Sequence, residues 1–539
     1  MLRSNYKIDD KNKDDYGMKC DLLITNGTII DGTGRSAYNS DLAVNKGKII
    51  AISPLINCQA DRIINATGLT VCPGFIDPHV HEELTVLQSS IFEEYLRQGV
   101  TTIINGNCGH SITPYSADNI YSYMVKKGLI SHQTKERNKL NLPSWTNFSG
   151  YIDVVKNKGS NLNMGFLLGH GTIRWSIMGD TKNRKMTGKE ETKIASLLEE
   201  GMEQGALGLS TGLTYSPSKY ADTDEIVKCA KVVQKYDGIY TSHIRSYLGT
   251  LEAVKEAIQI GIAAGIRVQV SHLTPNCPEG FDEILNARKE GLEIAVDTIP
   301  KSSGHFRRKD RLFQYLTTKD FLTFEEKLKL VKRLYSKENL TIVNTGVPDL
   351  ENRTLKEISL ERMISVDELI LELLDNDRKE ITFCQGGLIR KDFPGTPYAD
   401  KIAHNPYLMV GSDKVNGEID DPFAWYELYR KGAFPIFINL CRERSIKLEE
   451  IIRRITSLPA EHFRLSNRGT LSQGKAADIT IIDMNNYNYP TDNEINYKTP
   501  LTVCKGVKYT IVNGRVALND GIIENTYSGQ LLSRNGQVL

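Results

Sequence analysis

The sequence predicts an α/β protein: a (β/α)8 TIM-like barrel with a small β-sandwich domain built from both chain ends. Short apolar runs in the middle of the chain alternate with amphipathic helical stretches, and this alternation indicates a parallel sheet. Strand–turn–strand patterns with Asn-Gly turns, at Asn26-Gly27 and Asn513-Gly514, favour antiparallel β structure near the two ends. The apolar runs lie near residues 71–76, 100–105, 163–168, 206–210, 239–242, 267–271, 293–297 and 407–411.

These patterns also predict the domain limits. The first residues are polar and mixed in charge, which predicts a flexible tail. The stretch between the last two predicted strands, around residues 300–405, is too long for a single connection between neighbouring strands. We interpret it as an insertion that covers the barrel mouth. The predicted units are the tail 1–18, the β-sandwich 19–70 and 466–520, the barrel 71–465 with its insertion around 300–405, and a C-terminal extension 521–539.

Composition excludes several classes of function. The net charge of +1 argues against a nucleic-acid or membrane surface built on bulk charge. No apolar run approaches the roughly 18 to 20 residues of a membrane span, and the N-terminus lacks the apolar core of a signal peptide. Nine cysteines without a framework predict reduced thiols in a cytoplasmic protein. The expected partner is a small-molecule substrate, and the oligomeric state stays open.

Six potential metal ligands fall at the C-terminal ends of five predicted strands. The first strand ends in His79-x-His81, and alternate residues of a strand point to the same side. That pair alone is weak evidence, but the C-terminal ends of barrel strands share one face. Imidazole, thiolate and carboxylate are the ligands that zinc takes. The six residues are His79, His81, Cys108, His243, His272 and Asp413.

Two of the six have alternative interpretations. Asp413 is predicted to be the catalytic residue, because a carboxylate beside an activated water can accept its proton and return it to a leaving amine. It could instead cap a helix N-terminus. Cys108 lies between Asn-Gly-Asn and Gly, which allow unusual backbone dihedral angles. It could instead be a small buried apolar residue or a nucleophile.

Several segments carry a resemblance to a known family. The chain resembles the D-aminoacylase (N-acyl-D-amino-acid deacylase) branch of the amidohydrolase superfamily from about residue 20 to 515. The segments GNCG and LGLSTGLTYSP are specific to that branch. The matching segments are GFIDPHVHEE, GNCGHS, GHGTIR, GALGLSTGLTYSP, YTSHIRS, VSHL, GSD and GKAADITIID.

The resemblance implies a metal-dependent barrel with a flanking β-sandwich. It implies one tightly bound Zn²⁺ at Cys108, His243 and His272. A second, weaker divalent metal would use His79, His81 and Asp413, with Cys108 able to bridge. Asp413 is the position of the family's metal-binding catalytic aspartate.

The substrate side departs from the family pattern. Relatives hold a free carboxylate with a lysine after the strand-6 histidine and an arginine after the catalytic aspartate. Here those positions read Leu273-Thr274 and Asp421-Pro422-Phe423, so both cationic groups are missing. Each such contact contributes roughly 1.5 to 3 kcal/mol. The candidate substrate-binding residues are Tyr215, Arg174, Ser302 and Phe423.

The predicted function is zinc-dependent hydrolysis of an N-acyl amide, in a D-type N-acyl amino acid or a related derivative, by metal-activated hydroxide. The missing cations also favour an alternative substrate, either a cyclic amide or a peptidic or natural-product acyl amide without a free carboxylate. Deamination needs the same activated water, but the branch motifs argue against it. A non-catalytic barrel scaffold is the fourth hypothesis, and the complete ligand set argues against it.

Overall fold

The computed structural model describes most of the chain, and within the described residues the fold is mixed α/β, as predicted. The described residues are 19–114, 123, 145–179, 183–246, 249–273, 277–300, 305–308, 323–332, 337–344, 347–351, 353–375, 381–385, 397–415, 432–489 and 504–539.

The strands are numbered in chain order. They are β1 Lys19–Ile29, β2 Tyr38–Asn45, β3 Lys48–Ser53, β4 Gln59–Asn65, β5 Thr70–Pro73, β6 Phe75–Asp77, β7 Val80–His81, β8 Val100–Asn105, β9 Asn163–Phe166, β10 Leu168–Gly169, β11 Gly208–Gly212, β12 Ile239–His243, β13 Arg267–Val270, β14 Ile294–Thr298, β15 His305–Arg308, β16 Thr341–Asn344, β17 Arg353–Thr354, β18 Thr382–Gln385, β19 Leu408–Val410, β20 Lys414–Val415, β21 Ile479–Ile482, β22 Val507–Val512, β23 Arg515–Asn519, β24 Ile522–Ile523 and β25 Leu531–Leu532.

Most of the longer helices lie between the strands of the middle region. The described α-helices are Thr85–Gln88, Glu93–Leu96, Phe148–Lys158, His170–Met178, Gly188–Glu203, Thr223–Gln234, Thr250–Ala264, Pro278–Lys289, Phe324–Lys332, Leu355–Glu361, Val366–Asp375, Pro397–His404, Ala433–Glu443, Leu448–Ile455 and Ser457–His462. No helix within the described ranges is both long and apolar enough to cross a membrane.

Strands from both chain ends form one nine-stranded sheet, in the order β24-β23-β22-β21-β5-β1-β2-β3 with β4 beside β1. The predicted Asn513-Gly514 turn connects β22 and β23, with φ of 47° and 79°. The predicted turn at Asn26-Gly27 is wrong. β1 continues through it, with a register shift between Ile24 and Gly27 and a left-handed Asn26. The Asn-Gly pair therefore forms a bulge, since a bulge also requires a residue with positive φ.

Two parallel sheets carry the middle of the chain. One has the order β10-β11-β12-β13-β14-β19 and the other the order β25-β9-β8-β6. A short parallel pair joins β20 to β7. The C-terminal residues take part as well, because β25 pairs with β9. The C-terminal ends of these strands therefore point in a common direction within each sheet.

Amphipathic helices cover the parallel strands. Gly188–Glu203 is typical: Thr187 and Glu190 form a capping box at its start, and Ile194, Leu198 and Met202 are its buried apolar face. The segment predicted as an insertion holds a separate antiparallel sheet, β15-β18-β16-β17. Its own apolar cluster includes Ile342, Leu355, Leu369 and Phe383.

Candidate metal centre

The structure brings the six predicted ligands together at the C-terminal ends of the parallel strands. They form two groups that share Cys108, and within each group the ligand atoms lie within 4.8 Å of one another. One group is Cys108, His243 and His272. The other is His79, His81, Cys108 and Asp413.

In the first group, the Cys108 Sγ lies 3.3 Å from His272 Nε2 and 3.7 Å from His243 Nδ1, and those two nitrogens are 2.9 Å apart. Ligand atoms on one tetrahedral zinc lie about 3.3 to 3.6 Å apart, given Zn–N and Zn–S bonds of about 2.0 and 2.3 Å. The two distances to sulfur lie close to this range, and the nitrogen–nitrogen distance is shorter than it. The donor set of one thiol and two imidazoles is one that zinc takes.

The second group is built around Asp413. Its Oδ1 lies 3.5 Å from His79 Nε2 and 3.4 Å from His81 Nε2. His79 Nε2 is also 3.4 Å from Cys108 Sγ, so the sulfur faces both groups. Both histidines are buried, whereas the Asp413 side chain is 18% exposed. Asp413 is therefore the member of this group that solvent or a substrate reaches.

Three of the six predicted ligands have left-handed backbones. The φ angles are 53° at Cys108, 33° at His272 and 50° at Asp413. Such a conformation is uncommon for a residue with a side chain and costs on the order of 1–3 kcal/mol where it is strained. The fold holds these residues there because that backbone turns each side chain towards the others.

Glycines create the space for the Cys108 turn. A Cβ at Gly212 would lie 2.1 Å from the Cys108 carbonyl oxygen, and a Cβ at Gly109 would lie 2.6 Å from the Gly212 nitrogen. Ser210 Oγ accepts a hydrogen bond from the Gly109 N–H at 3.0 Å. The chain around Cys108 therefore packs backbone to backbone against the end of β11.

The surroundings of Cys108 favour the thiolate. Burial would raise the pKa of its thiol, but His79, His272 and the hydrogen bond to His243 lower that pKa well below its ordinary value. At His81, burial opposes protonation, yet Asp413 and Cys108 raise the pKa of the imidazole to about 10. A thiolate is the form of cysteine that binds metals, so this environment suits a metal ligand.

Comparisons with known proteins identify the family. The amidohydrolase family matches residues 62–263 and 390–518. The chain belongs to the amidohydrolase family. The predicted enzyme class, a hydrolase of carbon–nitrogen bonds other than peptide bonds, is confirmed.

The relatives of this amidohydrolase confirm the predicted D-aminoacylase branch. The D-aminoacylase of Alcaligenes xylosoxydans xylosoxydans is 27% identical over 518 residues, covering 95% of this chain and 98% of that protein. The N-acyl-D-aspartate deacylase of the same organism is 28% identical over 508 residues, 93% of each chain. A crystal structure of N-acyl-D-glutamate deacylase from Bordetella bronchiseptica, complexed with zinc and a phosphonate inhibitor, superposes with a TM-score of 0.73 at 26% identity. That match covers 96% of this chain and 100% of the other.

The predicted substrate-binding residues of the amidohydrolase lie in different surroundings. Tyr215 is 41% exposed, and its ring lies 4.6 Å from the ring of His243, centroid to centroid. It therefore sits at the open side of the first ligand group. Ser302 and Phe423 lie outside the described residues.

Arg174, a predicted substrate-binding residue, lies in a buried network of side chains. It is fully buried, and its Nε donates to Glu225 at 2.9 Å. Its Nη1 donates to the carbonyl oxygen of Pro217 at 3.2 Å. His170, which shares Glu225 through a 3.1 Å contact, is part of the same buried network. The sequence pattern cannot separate this role from a substrate contact, because both need an arginine beside the site.

Two residues that support the ligands were missed by the sequence analysis. Thr214 Oγ1 lies 2.7 Å from His243 Nε2, the ring nitrogen that faces away from Cys108. Asp297 is fully buried, and its carboxylate lies 3.2 Å from His79 Nδ1. A signal for Asp297 was present, since it follows the apolar run Ile294–Val296 at the C-terminal end of β14.

Proposed function

We propose that this amidohydrolase uses zinc to cleave the N-acyl bond of a D-type N-acyl amino acid or a related derivative. The observation that carries the proposal is the convergence of six ligand side chains around one shared cysteine. We assign a tightly bound zinc to Cys108, His243 and His272. A second, weaker divalent metal would be held by His79, His81 and Asp413, with Cys108 bridging.

The chemistry of the donor set supports this assignment. Zinc held there would supply a Lewis acid that polarises the scissile carbonyl and lowers the pKa of water. The protein's own contribution is a set of ligands fixed by buried partners. His243 contacts Thr214 through its outer nitrogen, and His79 contacts Asp297.

Asp413 is the proposed general base and acid. Its Oδ1 faces both His79 and His81, and its side chain remains partly exposed. A proton taken from the attacking water would be held on the Asp413 carboxylate and returned to the leaving nitrogen. The backbone N–H of Asp413 donates to the His79 carbonyl at 2.8 Å, which fixes the position of that carboxylate relative to β7.

For the substrate we propose direct contact with Tyr215, Ser302 and Phe423. Tyr215 supports this through its exposure beside His243. For Arg174 we propose an indirect role. Its bond to the Pro217 carbonyl would hold the segment that follows Tyr215.

The sequence favours a second class of substrate. Leu273-Thr274 and Asp421-Pro422-Phe423 replace the positions where relatives carry a cationic grip on a free carboxylate. A cyclic amide, or a peptidic or natural-product acyl amide without that carboxylate, would not need the grip. It would also avoid leaving a substrate carboxylate unpaired in the site.

One experiment tests both parts of the proposal. Zinc in the purified protein is measured by elemental analysis, and hydrolysis is screened with free and carboxyl-blocked N-acyl D- and L-amino acids. We expect bound zinc and a preference for D-substrates. Activity on blocked amides alone would select the second class, and a protein that binds no zinc and cleaves no amide would refute the proposal.

We also propose the finer architecture. β6–β7, β8, β9–β10, β11, β12, β13, β14 and β19–β20 would close into a (β/α)8 barrel, supported by the β20–β7 pair that joins the last strand to the first. The proposed domain limits are those given by the sequence, and the nine-stranded sheet would form the β domain, with its strands β5 and β24 extending beyond those limits. Eight of the nine cysteines are described as free thiols, which supports a reducing compartment such as the cytoplasm.

A further inference from the structure

Asp297 lies on β14 between the two ligand groups. Its side chain is fully buried. Its Oδ1 and Oδ2 lie 3.2 and 3.3 Å from His79 Nδ1, and Gln269 Nε2 donates to Oδ2 at 2.5 Å. The carboxylate thus touches a histidine of the second group from the side that faces away from Cys108 and Asp413.

The same carboxylate also holds the first group. Its Oδ1 accepts the backbone N–H of His272 at 2.9 Å, and the Asp297 carbonyl accepts the N–H of Leu273 at 3.1 Å. His272 is one of the left-handed residues, with φ of 33°. These two bonds therefore hold the turn that presents the His272 ring to Cys108.

The chain leaves room for this carboxylate at Gly411. A Cβ at position 411 would lie 2.6 Å from Asp297 Oδ1 and 2.8 Å from the His79 Cβ. Any side chain there would therefore displace Asp297, His79 or both. The close approach of β19 to β14 depends on glycine at this position.

The hydrogen-bond geometry orients the His79 ring. The Asp297 carboxylate oxygens are acceptors, so Nδ1 of His79 is the ring nitrogen that donates to them, and Nε2 is the nitrogen turned towards the other predicted ligands. Nε2 is the atom that faces Cys108 Sγ and Asp413 Oδ1. His81 differs: within the described residues, its Nδ1 is buried without a hydrogen-bond partner.

We propose that Asp297 is a positioning residue that supports one predicted ligand of each metal position. It fixes His79 in the tautomer that binds through Nε2, and it holds the His272 turn through the backbone. This inference rests on the proposed metal sites. Carboxylates in such positions commonly orient ligating histidines and increase metal affinity.

The central test is Asp297→Asn in the full-length protein. In this variant, the oxygen of the side-chain amide at position 297 can still accept a hydrogen bond from the His272 N–H. The nitrogen of that amide is a donor, and it faces the Gln269 side chain or His79. The amide then offers Nδ1 of His79 one acceptor atom in place of two and places a donor beside it, so the ring orientation that presents Nε2 to a metal is held less firmly. We expect zinc affinity at the second position to fall about 10- to 100-fold, while the first position keeps its zinc. Zinc titration of the apoprotein against a chelating competitor measures both.

Asp77→Asn is the matched control. Asp77 is also fully buried, and its Oδ1 accepts the N–H groups of His79 and Ser412, each at 3.1 Å. An amide oxygen preserves both bonds, so zinc affinity should change little. An equal loss in the two variants would show a general effect of a buried amide and would overturn the inference.

A double variant separates positioning from general damage. If Asp297 acts on the second position through His79, adding Asp297→Asn to His79→Ala should cause no further loss of zinc from that position. Additive losses would overturn the inference. The inference would also be overturned if the wild-type protein took up only one zinc. It would be overturned as well if Asp297→Asn bound both zinc ions with the affinities of the wild type. A wild-type protein that binds no zinc would instead refute the proposed function.

A measurement on the wild-type protein does not depend on any variant folding. Nitrogen chemical shifts of ¹⁵N-histidine in the zinc-loaded protein report which ring nitrogen carries the proton. We expect His79, assigned by comparison with His79→Ala, to be protonated on Nδ1. Protonation on Nε2 would overturn the inference.

Discussion

The two ends of the same three parallel strands, β12, β13 and β14, both carry polar side chains, but they arrange them in opposite ways. The C-terminal ends present His243, His272 and Asp297 to the metal centre. At the N-terminal ends, Arg267 pairs with Asp237 at 2.5 Å and Arg464 lies 3.2 Å from both Asp237 and Glu293.

The two ends differ in whether their charged groups are paired with groups of opposite charge. At the N-terminal ends each cation meets a carboxylate, so the groups satisfy one another. At the C-terminal ends two imidazole nitrogens, of His243 and His272, face each other at 2.9 Å beside the Cys108 sulfur. Ligand atoms that converge in this way are stabilised when a metal cation binds between them. The C-terminal ends are therefore where we expect the chemistry, and the N-terminal ends are where we expect a contribution to stability, as is typical of parallel α/β folds.

The largest expected effect is at Asp413. Asp413→Asn should keep zinc at the Cys108 position and lose turnover by on the order of 10²- to 10⁴-fold, because the amide cannot accept the proton. Steady-state kinetics with zinc analysis measures both. Near-normal rates would contradict the general-base role, and Asp520→Asn on the β23–β24 turn is the neutral control.

The two ligand groups should differ in zinc retention. His243→Ala should lower zinc affinity by more than the roughly 10- to 100-fold that follows loss of a residue supporting a ligand. His79→Ala should lose less, since the position assigned to the tight zinc lacks His79. Elemental analysis after dialysis against a chelator compares the two, and the reverse order would overturn the assignment.

At the opposite end, Arg267→Met should affect stability and leave the chemistry unchanged. Arg267 is buried and also donates to the carbonyl oxygens of Asp237 and Gly238. Its loss should lower the free energy of unfolding by about 2 kcal/mol, less than for a fully buried pair because Asp237 is exposed. Thermal unfolding and kcat are the measurements. A large fall in kcat in the folded variant would contradict the division between the two ends.

A pH dependence is expected at His462, whose ring nitrogen Nε2 contacts the Val268 carbonyl oxygen at 3.1 Å. Burial and the nearby Arg267 and Arg288 lower the pKa of His462 to about 3 from its ordinary value of 6.5. Between pH 6.5 and 3, His462 therefore binds a proton in the unfolded chain but not in the folded chain. The free energy of unfolding falls as the pH is lowered through this range.

His462→Gln tests that dependence. Glutamine can still donate to the Val268 carbonyl but does not titrate, so the stability difference between variant and wild type should shift in favour of the variant as pH falls below 6.5. Chemical denaturation at several pH values measures it. A difference that does not depend on pH would contradict the burial of a neutral His462.

Local patterns accounted for much of the fold and for the six candidate ligands. His79 and His81 could be named because alternation in a strand and the position of its end are local properties. The turn at Asn513-Gly514 was likewise predicted from neighbouring residues alone. The error at Asn26-Gly27 has a physical reason: a pair that favours positive φ suits both a turn and a bulge, and the partner strand decides between them.

The sequence by itself determined which residue types stand at the strand ends and which family they belong to. Only the tertiary structure decided which of them touch. Asp297 meets His79 across 218 residues of chain, and Arg174 is bonded to Glu225 rather than exposed to substrate. The reason is that local backbone preferences set where a strand ends, whereas contacts between strand ends depend on strand order and on close approaches such as that at Gly411.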